Sequence, residues 1–128
     1  MEVLVDSSFL LLCAEKGRDF ISLAEESLRE RLECYVLEDV LNELGRLSSK
    51  KGKRGALASV ALRIAEKMKV IKSSSDLGTD EKLIEESKRR GMVIATIDGD
   101  LIKKSKEKGL PILTIKRDQS VLLIGRRP

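Results

Sequence analysis

The chain has no histidine, which removes histidine general bases, serine–histidine triads and histidine metal ligands together. Its aromatic residues number three, Phe9, Phe20 and Tyr35, too few for recognition by stacked aromatic platforms. Two cysteines, Cys13 and Cys34, make neither a zinc site nor a disulfide framework. They read as small buried residues in a reducing compartment. No apolar run approaches the ~18 residues that a membrane span requires. The opening Met-Glu-Val-Leu-Val-Asp has no basic stretch followed by a long apolar one. No signal peptide is therefore expected, and the expected location is cytoplasmic.

What is present is ample apolar and charged material. Of 128 residues, 41% are apolar and 36% charged, enough for one real core and too apolar for disorder. The expectation is a single domain over residues 1–125 with a short basic tail at 126–128. Lys and Arg exceed Asp and Glu by 25 to 21, a net charge of +4. That excess permits a polyanionic partner without demonstrating one.

Val3-Leu4-Val5 is a short β-branched apolar run that predicts a buried strand ending at Asp6. Helical spacing follows from Phe9 to about Leu32, with a break near Gly17. Cys34-Tyr35-Val36 predicts a second strand, and Leu37, Val40, Leu41, Leu44 and Leu47 one face of a helix. Ser48 to Gly55 is a polar, basic loop, Ala56 to Met68 a helix and Val70-Ile71 a third strand. After a loop over Ser73 to Gly78, Thr79 is placed to cap a helix over Asp80 to Arg90 that ends at Gly91. Met92 to Ile97 predicts a strand, Asp98 to Lys108 a helix, Ile112 to Ile115 a strand and Val121 to Ile124 an edge strand. Alternating strands and helices predict a three-layer α/β/α fold with a mainly parallel central sheet.

In such a fold, ligands bind at the carboxyl ends of the strands. Asp6 and Asp98 each directly follow a strand, and Asp80 opens a helix whose start lies on the same rim. The helix beginning near Leu37 offers two further acids. At about 100° per residue, Glu43 lies roughly 40° from Leu47 at the margin of the apolar face, and Glu38 roughly 60° from Leu41. Side chains lean towards the helix start, which favours Glu43 without deciding it. Each acid alone reads equally well as a turn, cap or solvated residue. Together they would repel one another, and a divalent cation among them relieves that repulsion. An all-oxygen donor set suits Mg²⁺ or Mn²⁺, and such a cation assists phosphoryl hydrolysis.

Other phosphate chemistries on similar architectures fit less well. A phosphate-accepting receiver domain needs an acidic pair after its first strand, and Asp6 is followed by Ser7. A haloacid-dehalogenase-type phosphatase needs Asp-x-Asp after its first strand, whereas the pair Asp98 and Asp100 follows a late one.

Four stretches, in order and spanning nearly the whole chain, resemble the motifs of PIN-domain ribonucleases. They are Val-Leu-Val-Asp6-Ser-Ser-Phe-Leu-Leu, Val-Leu-Glu-Asp-Val-Leu-Asn-Glu43-Leu-Gly-Arg-Leu, Thr79-Asp80-Glu-Lys-Leu-Ile and Val-Ile-Ala-Thr96-Ile-Asp98-Gly-Asp100-Leu. The last, with Gly-Leu-Pro-Ile-Leu-Thr-Ile beyond it, looks most like the archaeal branch similar to the rRNA-processing protein Fcf1. Toxins of the VapC kind share the pattern. Two positions depart from it: Ser8 stands where many members have Asn, and Gly99 where a basic residue is common.

The resemblance selects Glu43 over Glu38. It implies Mg²⁺- or Mn²⁺-dependent hydrolysis of an RNA phosphodiester leaving a 5′-phosphate. Asp6, Glu43, Asp80 and Asp98 would be the catalytic and metal-holding acids, and Asp100 an outer metal ligand. Ser7 and Thr96 would orient carboxylates or a phosphate. It also implies a homodimer, with an antitoxin or a ribosome-assembly factor as further partner. A non-catalytic RNA-binding or assembly factor is the other reading. RNA would be gripped by its backbone, foremost at Lys50, Lys51, Lys53 and Arg54.

Overall fold

The computed structural model describes residues 1–125, so the basic tail expected at 126–128 lies outside the described residues. Twelve elements alternate along them: β1 (Glu2–Val5), α1 (Ser7–Lys16), α2 (Phe20–Leu28), β2 (Glu33–Leu37), α3 (Glu38–Ser48), α4 (Lys53–Ala65), β3 (Lys69–Ile71), α5 (Thr79–Arg90), β4 (Val93–Ala95), α6 (Gly99–Glu107), β5 (Ile112–Ile115) and β6 (Val121–Ile124). The strands form one sheet in the order β3-β2-β1-β4-β5-β6. The pairings are parallel except β5–β6, which is antiparallel and closes one edge.

That order fixes the layers. From β1 the chain steps to β2 and then β3 in one direction, and from β4 to β5 in the other. Right-handed crossovers put α1 to α4 on one face of the sheet and α5 and α6 on the opposite face. The reversal falls between β1 and β4, where a crevice opens at the carboxyl ends of the strands. Val3, Leu4, Val5, Val93, Ile94 and Ala95 are fully buried there, as expected of central strands covered on both faces. Phe9 and Phe20 are the largest side chains of the core beneath α1 and α2.

Several element bounds shift by a few residues, and three of the shifts fall at or beside expected site residues. The helix after β3 begins one residue early: Gly78 caps it, and Thr79 is its first residue rather than its cap. The predicted loop over Ser48 to Gly55 is shorter, because Lys53 and Arg54 already belong to the first turn of α4. No apolar residue marks that turn, so periodicity missed it. The strand predicted from Met92 to Ile97 narrows to Val93–Ala95. Gly91 does close α5, in the left-handed conformation (φ 69°) that its missing Cβ allows, and its N–H reaches the Ser87 carbonyl.

Both cysteines are free. Burial pushes the Cys13 thiol up and the Cys34 thiol to about 12, so neither is poised to react. Among the described residues no helix is long and apolar enough to cross a membrane.

The basic turn between α3 and α4 depends on one close approach. A Cβ on Gly55 would lie 1.8 Å from the Lys50 carbonyl oxygen and 2.8 Å from its carbon. Both are backbone atoms, so nothing flexible can give way. Gly55→Ala should cost about 2 kcal/mol by forced overpacking. Thermal melts should show a drop of several degrees; an unchanged melting temperature would contradict this packing.

Candidate active site

The crevice at the β1–β4 reversal is a cavity of about 470 Å³ lined by Asp6, Glu43, Asp80 and Asp98 together with neighbouring polar side chains. Each acid arrives by a different route. Asp6 follows β1, Glu43 sits midway along α3, Asp80 lies in the first turn of α5 and Asp98 follows β4. The four expected catalytic acids are thus brought together from four separate parts of the chain.

Asp6 is nearly buried, and a buried carboxylate must be hydrogen-bonded. Its Oδ2 accepts from Ser8 Oγ at 2.7 Å and from Thr96 Oγ1 at 2.8 Å. The two hydroxyls lie 3.0 Å apart. Ser8 Oγ also accepts the Ile97 N–H at 3.1 Å, and Thr96 Oγ1 the Asp98 N–H at 3.0 Å. Thr96 is fully buried, so its hydroxyl orients Asp6 and does not face a phosphate in the cleft. Ser8, the departure from the common Asn, is part of this same network. Among the described residues Asp6 Oδ1 takes no protein hydrogen bond.

Asp98 is the N-cap of α6, with Oδ1 accepting the N–H groups of Asp100 at 2.9 Å and Leu101 at 3.4 Å. Asp98 thus caps α6 and also lines the cleft. Asp100, in the first turn of α6, is exposed and does not line the cleft.

On α3 the geometry separates the two rival acids. Asp39, Asn42, Glu43 and Arg46 line the cleft, a stripe at i, i+3, i+4 and i+7. Glu38 instead faces Lys72, 3.8 Å away and exposed. The polar stripe is visible in the sequence as a helical repeat opposite Val40 and Leu44, yet the motif pattern singles out Glu43 alone. One pairing escapes a reading of the sequence. Asp39 Oδ2 accepts from Lys82 Nζ at 2.8 Å, and Lys82 is a buried lysine on α5. This pair ties the helix carrying Glu43 to the helix carrying Asp80. Nothing near either residue in sequence announces it, since 43 positions separate them.

Lys50, Lys51, Lys53 and Arg54 are all exposed, and none lines the cleft. They stand beyond the far end of α3, and Arg46 lies between them and Glu43 along that helix.

The electrostatics reflect crowding. Burial, then the charges of Asp6 and Asp80, hold the Glu43 carboxyl above its usual range, against the pull of the Ser7 hydroxyl and Arg46. Burial, then Asp6 and Asp98, raise Asp80 likewise, with Lys104 opposing. Among the described residues no three acidic or sulfur side chains stand close enough to cage a metal ion as placed. The donor set is nonetheless all oxygen, the kind that hard divalent cations prefer.

A carboxylate with a raised folded-state pKa adds stability below its unfolded value and loses it as pH climbs through the raised one. In chelator, Glu43 and Asp80 should therefore weaken the protein progressively above the usual carboxylate range. Glu43→Gln should melt at or above the wild-type temperature at pH 7, and this advantage should vanish near pH 4. A variant less stable at pH 7 than wild type would show that Glu43 is structural.

Residues 3–118 match the family described as PIN like domain. No curated protein matches the chain in sequence. Among solved structures, the fold is similar to that of the PIN domain endonuclease Utp24, with TM-score 0.80, 21% identity, and 98% of this chain and 92% of that one covered. A domain of a functionally unknown protein from Methanocaldococcus jannaschii gives 0.65 and 17%, over 90% of this chain and 91% of that one. VapBC2 from Rickettsia felis, solved with a DNA fragment from its promoter, gives 0.56 and 17%, over 91% and 100%. With a family match across nearly all of its length, placed on a sheet that brings the motif acids to one cleft, the chain belongs to the PIN-like domain family.

Proposed function

We propose that the chain is a metal-dependent endoribonuclease that hydrolyses RNA phosphodiester bonds and leaves a 5′-phosphate. The observation that carries this reading is the convergence of Asp6, Glu43, Asp80 and Asp98 on one cleft, with Glu43 and Asp80 raised by burial and by their neighbours. Crowded like charges are costly unless a cation shares them. These four residues would hold Mg²⁺ or Mn²⁺, with Asp100 at most in an outer position. When bound, such a cation offers positive charge to phosphoryl oxygens and lowers the pKa of water beside it.

The chain's own groups supply orientation. Ser8 and Thr96 fix the rotamer of Asp6 through Oδ2 and turn its other oxygen over to ligand binding. The α6 cap fixes Asp98 in the same manner. Lys82 and Asp39 hold α5 against α3, which sets Asp80 opposite Glu43. Arg46 is the one cation lining the cleft among the described residues, suited to a phosphate oxygen. Single-stranded RNA fits the open cleft, and the shortage of aromatic residues argues for grip on the backbone over readout of bases.

Two settings suit this chemistry: maturation of rRNA, and a toxin restrained by an antitoxin. The alternative of a non-catalytic RNA-binding or assembly factor draws on the spacing of the carboxylates, which do not form a ready cage.

Purified protein incubated with RNA and Mn²⁺, followed by sequencing of the ends, tests the proposal. Cleavage should stop with a chelator, and Asp6→Asn should lower the rate by at least ~10²-fold, about 2.7 kcal/mol of barrier. Equal cleavage by wild type and variant would identify a contaminant and leave the binding-factor reading.

A further inference from the structure

A second depression, of about 350 Å³, lies next to the acid cleft on its β5 side. Leu12, Ile97 and Ile115 form its apolar floor, and Lys16, Lys116 and Arg117 its rim. No acidic residue lines it among the described residues. Among those residues, too, none of the three cations takes part in an ion pair. The nearby acid is Asp118, whose carboxyl is held low first by hydrogen bonds from Ser120 and also by the charge of Lys116.

The rim is built rather than loose. Lys116 and Arg117 stand on the turn between β5 and β6. In that turn the Lys116 N–H reaches the Ser120 carbonyl at 2.9 Å, and the Gln119 N–H the Lys116 carbonyl at 2.8 Å. Gln119 Oε1 accepts from Arg18 at 2.8 Å, which pins the turn to the segment between α1 and α2. The floor is joined to the site by one residue. Ile97 is partly exposed, precedes Asp98 and donates its N–H to the Ser8 hydroxyl that also holds Asp6.

We propose that this depression is a nucleotide subsite for the RNA strand that crosses the acid cleft; the inference rests on the ribonuclease reading above. A nucleotide pairs an apolar ring with an anionic phosphate, and the depression pairs an apolar floor with a cationic rim. Its volume falls at the small end of the roughly 300–1,000 Å³ range of ligand sites. The depression lies on the β5 side of the four acids, and the basic turn at Lys50 to Arg54 follows α3, the helix that starts from β2 on their other side. A strand spanning both passes over the four acids. Gln119 also lines the depression, but its Oε1 is taken by Arg18, so the base covers Ile97 with little hydrogen-bond readout and the subsite selects little by sequence.

Binding of a short fluorescein-labelled single-stranded RNA in EDTA tests this apart from catalysis. The variant carrying Lys16→Ala, Lys116→Ala and Arg117→Ala, checked by thermal melt, should bind about tenfold more weakly at 0.1 M salt. The slope of log binding constant against log salt should flatten by roughly 0.7 for each phosphate that the variant no longer neutralises. Photocrosslinking with 4-thiouridine-substituted RNA should label the wild-type peptides containing Ile97 and Lys116. Unchanged affinity and slope, or crosslinks confined to the Lys50 to Arg54 turn, would overturn the subsite. Cleavage with Mn²⁺ is scored separately: a wild type that binds and crosslinks as expected yet cuts nothing removes the nuclease reading and keeps the subsite.

Discussion

The fold and its site meet at one carboxylate. Asp6 sits at the end of the central strand, nearly buried, where an ionised group is tolerable only if its lone pairs are satisfied. Two hydroxyls satisfy it, one from the next helix and one from the residue just past β4, 90 residues away in sequence. These bonds stitch β1 to β4 beyond the last backbone pairing of the two strands, at the place where the sheet reverses its winding. They also set the positions of Ile97 and Asp98 through their backbone N–H groups. The cleft, the cap of α6 and the apolar floor beside them all inherit their placement from this small knot of polar atoms.

Around that knot the chain uses charge in two ways. Where stability is wanted, opposite charges are paired: Lys82 with Asp39 across two helices, and Glu86 with Arg89 and Arg90 within one. Where the crevice opens, like charges are gathered instead, and two of them are held above their usual range. The paired set keeps the gathered set in position. α3 shows this in one element, with Val40 and Leu44 in the core on one side and four polar side chains in the cleft on the other.

Much of this was legible in the sequence, for a physical reason. Short apolar runs that end in an acid mark both the strand and the rim, so Asp6 and Asp98 could be placed from local pattern alone. Helix periodicity kept Glu43 and Glu38 both in play, and only the α3 rotation that sends Glu38 towards Lys72 separates them in space. What stayed hidden depends on partners distant in sequence. Lys82 reads as one more charge on a highly charged helix until Asp39 is beside it. Ser8 reads as a weakened motif until Thr96 and Asp6 surround it. The early start of α4 stayed hidden too, because its first turn is polar and its lead-in glycine looks like loop.

The double duty of Asp98 has an evolutionary consequence. One of its oxygens caps α6, and the residue also lines the cleft. Asparagine caps a helix as well as aspartate does, because the amide oxygen accepts the same backbone N–H groups. A single change at this position therefore removes a charge from the crevice while the helix, the strand before it and the basic rim beside it keep their form. For the ribonuclease proposed above, this leaves a short path from cutting RNA to only holding it, with no loss of fold along the way.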